Sequence, residues 1–98
     1  MSELLEGKVA LVTGAGRGFG AGIAQGLARA GAQVCVIDLD TLELAQTTAE
    51  ITDEGGQAFA CAADVSHFAA MERAVQETVN RWGQIDIVVS NAAIMPLV

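Results

Sequence analysis

Four short apolar runs, separated by three stretches in which apolar residues recur every three or four positions, constrain this chain more than any other feature. The runs are Lys8 to Thr13 (KVALVT), Gln33 to Asp38 (QVCVID), Gln57 to Ala63 (QAFACAA) and Ile85 to Ser90 (IDIVVS). A strand that is apolar at nearly every position buries both faces, as strands of a parallel sheet do. The third run is the weakest, because alanine has little strand preference. Between the runs the period becomes helical. Gly18 to Ala30 carries Ile23, Leu27 and Ala30 on one side, and Gly31 can end it. Asp40 followed by Glu43 reads as a capping box for a helix reaching about Glu54, stopped by Gly55 and Gly56. Ser66 is placed to cap a third helix, whose Phe68, Met71, Val75, Val79 and Trp82 predict a buried stripe ending at Gly83.

The order is therefore β-α-β-α-β-α-β. Right-handed crossovers between parallel strands turn this into a doubly wound α/β sheet of the Rossmann type, with predicted strand order 3-2-1-4. Ligands of such sheets bind at the carboxyl ends of the strands, near the point where strand order reverses. The chemically distinctive residues fall at those ends: Thr13-Gly14, Asp38, Asp64 and Ser90-Asn91.

The first turn, Thr13 to Gly22 (TGAGRGFGAG), is rich in glycine, lies after a strand and opens a helix. Glycines let the backbone approach a ligand, and the free N–H groups of a helix N-terminus suit a pyrophosphate. Gly16, Gly18 and Ala21 satisfy the general dinucleotide pattern G-x-G-x-x-G/A. Asp38 lies eighteen positions beyond Gly20, at the end of the second strand. A carboxylate there accepts hydrogen bonds from ribose hydroxyls and repels a 2′-phosphate, favouring NAD over NADP.

These residues together resemble the short-chain dehydrogenases/reductases. Thr13, Gly14, Gly18 and Gly20 match that family's T-G-x-x-x-G-x-G, with Phe19 where Ile or Leu is usual. Asp64-Val65 resembles the family's acidic site for the adenine ring. Ser90-Asn91-Ala92-Ala93 resembles its N-N-A-G, with Asn91 and Ala92 matching and Ser90 and Ala93 departing. The resemblance implies cofactor-binding roles for Gly14, Arg17, Gly18, Phe19, Gly20, Asp38, Asp64, Val65, Asn91 and Ala92. It implies NAD as cofactor, an alcohol or carbonyl as substrate and a homo-oligomer in the full-length protein. Arg17 pulls the other way, since a basic residue at that position often accompanies NADP in the family.

The family's catalytic Ser, Tyr-x-x-x-Lys and helical Asn have no counterpart here: the chain holds no tyrosine, and its one lysine is Lys8. The resemblance places those catalytic residues beyond Val98, the last residue of the sequence. Residues 1–98 are thus read as the N-terminal dinucleotide-binding part of one Rossmann domain, stopping before the catalytic half and inactive alone. The alternatives are a non-catalytic dinucleotide-binding module and a methyltransferase-like doubly wound domain. The Thr13-Gly14 start and the Asn91-Ala92 loop argue against the latter.

A net charge of -7 makes nucleic acid an unexpected partner. No apolar run approaches the roughly 20 residues that cross a bilayer, and the first residues lack a signal-peptide pattern. With Cys35 and Cys61 reading as small buried hydrophobes, no metal is expected and a cytoplasmic setting fits. His67 reads as solvated surface, and Asp86 as a strand-start residue near water. The far edge of the fourth strand is expected to lack a partner, so the 98-residue piece alone should associate.

Overall fold

The computed structural model describes residues 4–91. Three residues singled out above lie outside the described part: Ala92, Ala93, and Val98, beyond which the catalytic groups are expected. The elements run β1 (Val9–Thr13), α1 (Gly18–Arg29), β2 (Gln33–Asp38), α2 (Thr41–Asp53), β3 (Gln57–Ala62), α3 (Phe68–Trp82) and β4 (Ile87–Val89). All pairings are parallel and the strand order is β3-β2-β1-β4, as the sequence predicts.

The two faces of β1 and β2 are covered differently. Ala10, Val12, Val34 and Val36 pack with Ala24, Leu44 and Ile51 on the side of α1 and α2. Leu11, Cys35 and Ile37 pack with Ala74, and with the partly buried Phe59, Met71 and Trp82, on the side of α3. Every residue of β1 is buried, as expected of a central strand. Trp82 anchors the end of α3 against Phe59, with ring centroids 5.2 Å apart, edge to face. The Arg81 guanidinium lies 4.3 Å from the same Phe59 ring, within cation–π range.

Four expectations need correction. First, the buried stripe of α3 is Ala74 and Thr78, flanked by Met71 and Trp82, whereas Phe68, Val75 and Val79 are exposed. The helix is rotated so that small residues meet the sheet closely. Its bulkier flank is exposed, as is Val88 of β4 at 65%. Second, Ser66 does not cap α3. The N-cap is His67, without a side-chain bond, and Ser66 gives both its N–H (2.9 Å) and its hydroxyl (2.6 Å) to Asp64 Oδ1. The two-residue Asp64–Ser66 turn competes with capping and wins. Third, β4 spans only Ile87–Val89, because Ile85 and Asp86 precede the ladder and among the described residues β1 is its one neighbour. Fourth, Cys61 is only half-buried on the edge strand β3, its thiol 3.6 Å from Glu77. Cys35 is fully buried, and burial pushes its thiol up to about 12.

Asp86 does more than sit near water. Its N–H donates to the Val9 carbonyl (2.8 Å), and its Oδ2 accepts from the Val9 N–H (2.9 Å) and from Gln84 Nε2 (2.7 Å). Gln84 also donates to the Gly7 carbonyl at 3.0 Å. This closed ring starts β4 in register with β1. Among the described residues no helix is long and apolar enough to cross a membrane. No His, Cys, Asp and Glu cluster among them could hold a metal.

The bond from Val9 holds the Asp86 carboxyl below its ordinary range, with Gln84 and Lys8 adding to the effect. A depressed folded value contributes stability above the unfolded value of about 4, lost as pH falls through the folded one. Asp86→Ala should therefore lower the urea midpoint at neutral pH and show a weaker loss of stability on acidification than the parent. Urea titrations of the full-length protein at neutral and at acidic pH check this. Parallel acid profiles would count against the Asp86 ring.

Candidate functional site

The carboxyl ends of the strands open into one cleft of about 290 Å³. Gly14, Arg17, Asp38, Asp64, Val65 and Asn91 line it together with Leu39 and Ala63. Six of the sequence-derived residues thus meet in one place from four separate segments. Gly18 and Phe19 do not line it. They border a separate apolar depression with Gly22 and Ile23, and Phe19 is 86% exposed. Gly20 lines neither and is buried in the first turn of α1.

The glycine turn is fixed by close contacts. A Cβ on Gly20 would stand 1.8 Å from the Gly14 carbonyl oxygen and 2.8 Å from Asn91 Nδ2. Only hydrogen fits there. Gly18, at φ 62°, makes the left-handed step that turns the chain into the helix. Arg17 is the N-cap in extended conformation and makes no side-chain cap bond, and α1 has no acidic residue in its first turn. The first N–H groups of α1 therefore have neither a helical partner nor a carboxylate on them. α2 differs: its N-cap Asp40 accepts from the Glu43 N–H at 3.0 Å.

Thr13 joins the glycine turn to the fourth strand. Its hydroxyl donates to the Val89 carbonyl (3.3 Å) and accepts from the Asn91 N–H (2.9 Å). Asp38, at the end of β2, accepts from the Gly16 N–H on Oδ2 (2.9 Å) and from the Leu39 N–H on Oδ1 (2.7 Å). Each oxygen retains a further lone pair for an incoming hydroxyl. The Asp64 carboxyl is held below its ordinary range, first by the Ser66 hydroxyl and then by the Ser66 N–H. Arg17 is the one cation among the residues lining the cleft. Its Nε lies 3.8 Å from Glu43 Oε1, beyond hydrogen-bond length, with its side chain 83% exposed.

Sequence reasoning missed Leu39 and Ala63, both lining the cleft, and the contact residue Glu43. Leu39 and Ala63 adjoin Asp38 and Asp64, so the strand-end argument that found the acids reaches them as well. Glu43 carries no signal beyond its capping position. The fit to a dinucleotide is good in kind: an uncapped helix N-terminus, a glycine turn packed too tightly for a side chain at Gly20, and an oriented carboxylate on one side.

Comparison with known proteins agrees. Residues 8–98 match the family model for short chain dehydrogenases. A sorbitol dehydrogenase of Cereibacter sphaeroides is 44% identical over 93 residues, covering 95% of this chain and 35% of that protein. A hydroxynaphthalene reductase of Aspergillus fumigatus is 49% identical over 89 residues, 90% of this chain and 33% of the other. Among solved structures, a hydroxysteroid dehydrogenase from Escherichia coli superposes with TM-score 0.89 at 39% identity, covering 91% of this chain and 38% of its own. A metagenomic short-chain oxidoreductase in complex with NADP gives TM-score 0.86 at 39% identity, covering 92% and 41%. The chain belongs to the short-chain dehydrogenases, a family that binds nicotinamide dinucleotides, and it spans about a third of the length of these curated relatives.

Gly20→Ala should displace the Gly14 carbonyl, destabilise the full-length protein by about 1–3 kcal/mol and weaken dinucleotide binding more than tenfold. Gly22→Ala, whose Cβ would meet nothing within 4 Å, should be neutral or stabilising by up to about 1 kcal/mol. Thermal unfolding and dinucleotide titration of both variants check the contrast. Equal behaviour would show that the Gly20–Gly14 contact is not what shapes the turn.

Proposed function

We propose that this chain is the nucleotide-binding portion of an NAD(H)-dependent oxidoreductase that interconverts an alcohol and a carbonyl. The observation that carries the choice of NAD is the Asp38 carboxylate, held at the end of β2 by the N–H groups of Gly16 and Leu39. Two fixed oxygens suit the two ribose hydroxyls, and their charge repels a 2′-phosphate. The pyrophosphate would lie on the first turn of α1, between Gly14, Gly18, Phe19 and Gly20, with the main chain of Phe19 supplying its contribution. Asp64 and Val65 would border the adenine, and Asn91 with Ala92 the nicotinamide half.

The bound nicotinamide supplies the hydride chemistry. The residues of this chain bind and orient it. The family resemblance gives proton transfer to a tyrosine, and these 98 residues contain none. Names of relatives such as sorbitol dehydrogenase and hydroxynaphthalene reductase support an alcohol or carbonyl substrate. NADP is the competing choice, favoured by Arg17 and by the NADP complex of one structural neighbour. The carboxylate weighs more, because it is fixed by two main-chain bonds while Arg17 is largely solvated.

A hydrogen bond to a charged group is worth about 1.5–3 kcal/mol, so Asp38→Ala should weaken NAD binding roughly 10- to 100-fold. It should leave NADP binding unchanged or stronger. Arg17→Ala should hardly alter NAD affinity. Calorimetric titration of both cofactors into the full-length protein and each variant is the test. A parent that prefers NADP, and loses that preference with Arg17→Ala, would make Arg17 the selector.

A further inference from the structure

Glu43 stands in the first turn of α2, where neither the dinucleotide motif nor the cleft lining accounts for it. Its position follows from how the glycine turn sits on α2. The buried Thr47 hydroxyl donates to the Gly16 carbonyl at 3.1 Å, pressing the turn against the helix. A Cβ on Gly16 would come within 2.9 Å of Asp38 Oδ2 and 3.0 Å of Glu43 Cβ. Gly16 is thus seated between two acidic side chains, and the next residue, Arg17, reaches back to Glu43 with Nε 3.8 Å from Oε1.

We propose that Glu43 is a positioning residue for cofactor selection: beside Asp38, it pairs with the Arg17 guanidinium and so withholds it from a 2′-phosphate. The inference rests on the NAD reading above and extends it. An arginine near the end of the second strand is the group that accommodates a 2′-phosphate, through bidentate pairing. A carboxylate paired with that arginine competes with the phosphate and adds repulsion of its own. Of the two partners Glu43 is the fixed one, since its side chain is 31% exposed against 83% for Arg17. The N-terminal end of α2 also favours a negative charge there. An exposed pair contributes little by itself, so Glu43 biases the choice and Asp38 sets it.

The test is calorimetric titration of NAD and of NADP into the full-length protein and its Glu43→Gln, Arg17→Ala and double variants. Glu43→Gln should raise the ratio of NADP to NAD affinity by about 3- to 5-fold. With Arg17 already replaced, the same change should move the ratio by less than about 1.5-fold. The gain should also shrink as salt is raised. Glu43→Asp, which keeps the charge on a shorter arm, should fall between the parent and Glu43→Gln. An unchanged ratio, an equal loss of both affinities, or the same gain without Arg17 would each overturn the role. A parent that prefers NADP would overturn the NAD reading instead, and an Arg17-dependent gain from Glu43→Gln would still support this one.

Discussion

The Thr13 hydroxyl is the interaction on which the site depends. It closes a bridge from the end of β1 to the Val89 carbonyl and the Asn91 N–H. Strand ends in a parallel sheet splay as the sheet twists, so their loops have no reason of their own to stay together. This bridge holds two of them at one distance. With Asn91 fixed, its amide closes over Gly20, and the Gly14 carbonyl closes from the other side. A hydrocarbon at position 13 would pack as well within β1 and would leave that bridge unmade.

Charge gives the site its second character. In a chain with a net charge of -7, an anionic ligand is repelled at long range and must be held by local groups. The main-chain N–H groups of α1 can do this without adding any charge. Fixed dipoles aimed at a phosphate need no counter-ion and do not rearrange when it arrives. The same surroundings keep one arginine from turning the cleft into a general anion trap. The carboxylates of Asp38 and Asp64 line the cleft with it, and that of Glu43 lies 3.8 Å from its Nε.

Periodicity made the sheet legible because β1 and β2 are apolar on both faces and meet helices on both. It failed on α3 for a related reason. Phe68, Val75 and Val79 share the period of Ala74 and Thr78, displaced by about one position around the helix. Hydrophobicity alone favours the bulky set, whereas close approach to the sheet favours the small one. Capping misled at Ser66, where a turn to Asp64 used the same hydroxyl. The strand-end acids were readable from spacing. What they contact was not: the bonds from Gly16 and Leu39 to Asp38, and the approach of Glu43 to Arg17, are set by packing across separate segments.

The two neighbouring helices begin differently, α2 closed by Asp40 and α1 left without a side-chain cap. An open first turn is a site of local fraying, and fraying of α1 would loosen the turn that leads into it. A ligand on those amides supplies the missing cap, so its binding free energy adds directly to the stability of the fold, growing as RT ln(1 + [L]/Kd). Amide hydrogen exchange at Gly18 to Gly20 would then follow occupancy rather than global unfolding. If that ligand is the proposed nucleotide, resistance to heat and proteolysis becomes, in part, a property of its concentration. A protein of this kind is most fragile when starved of the molecule it uses.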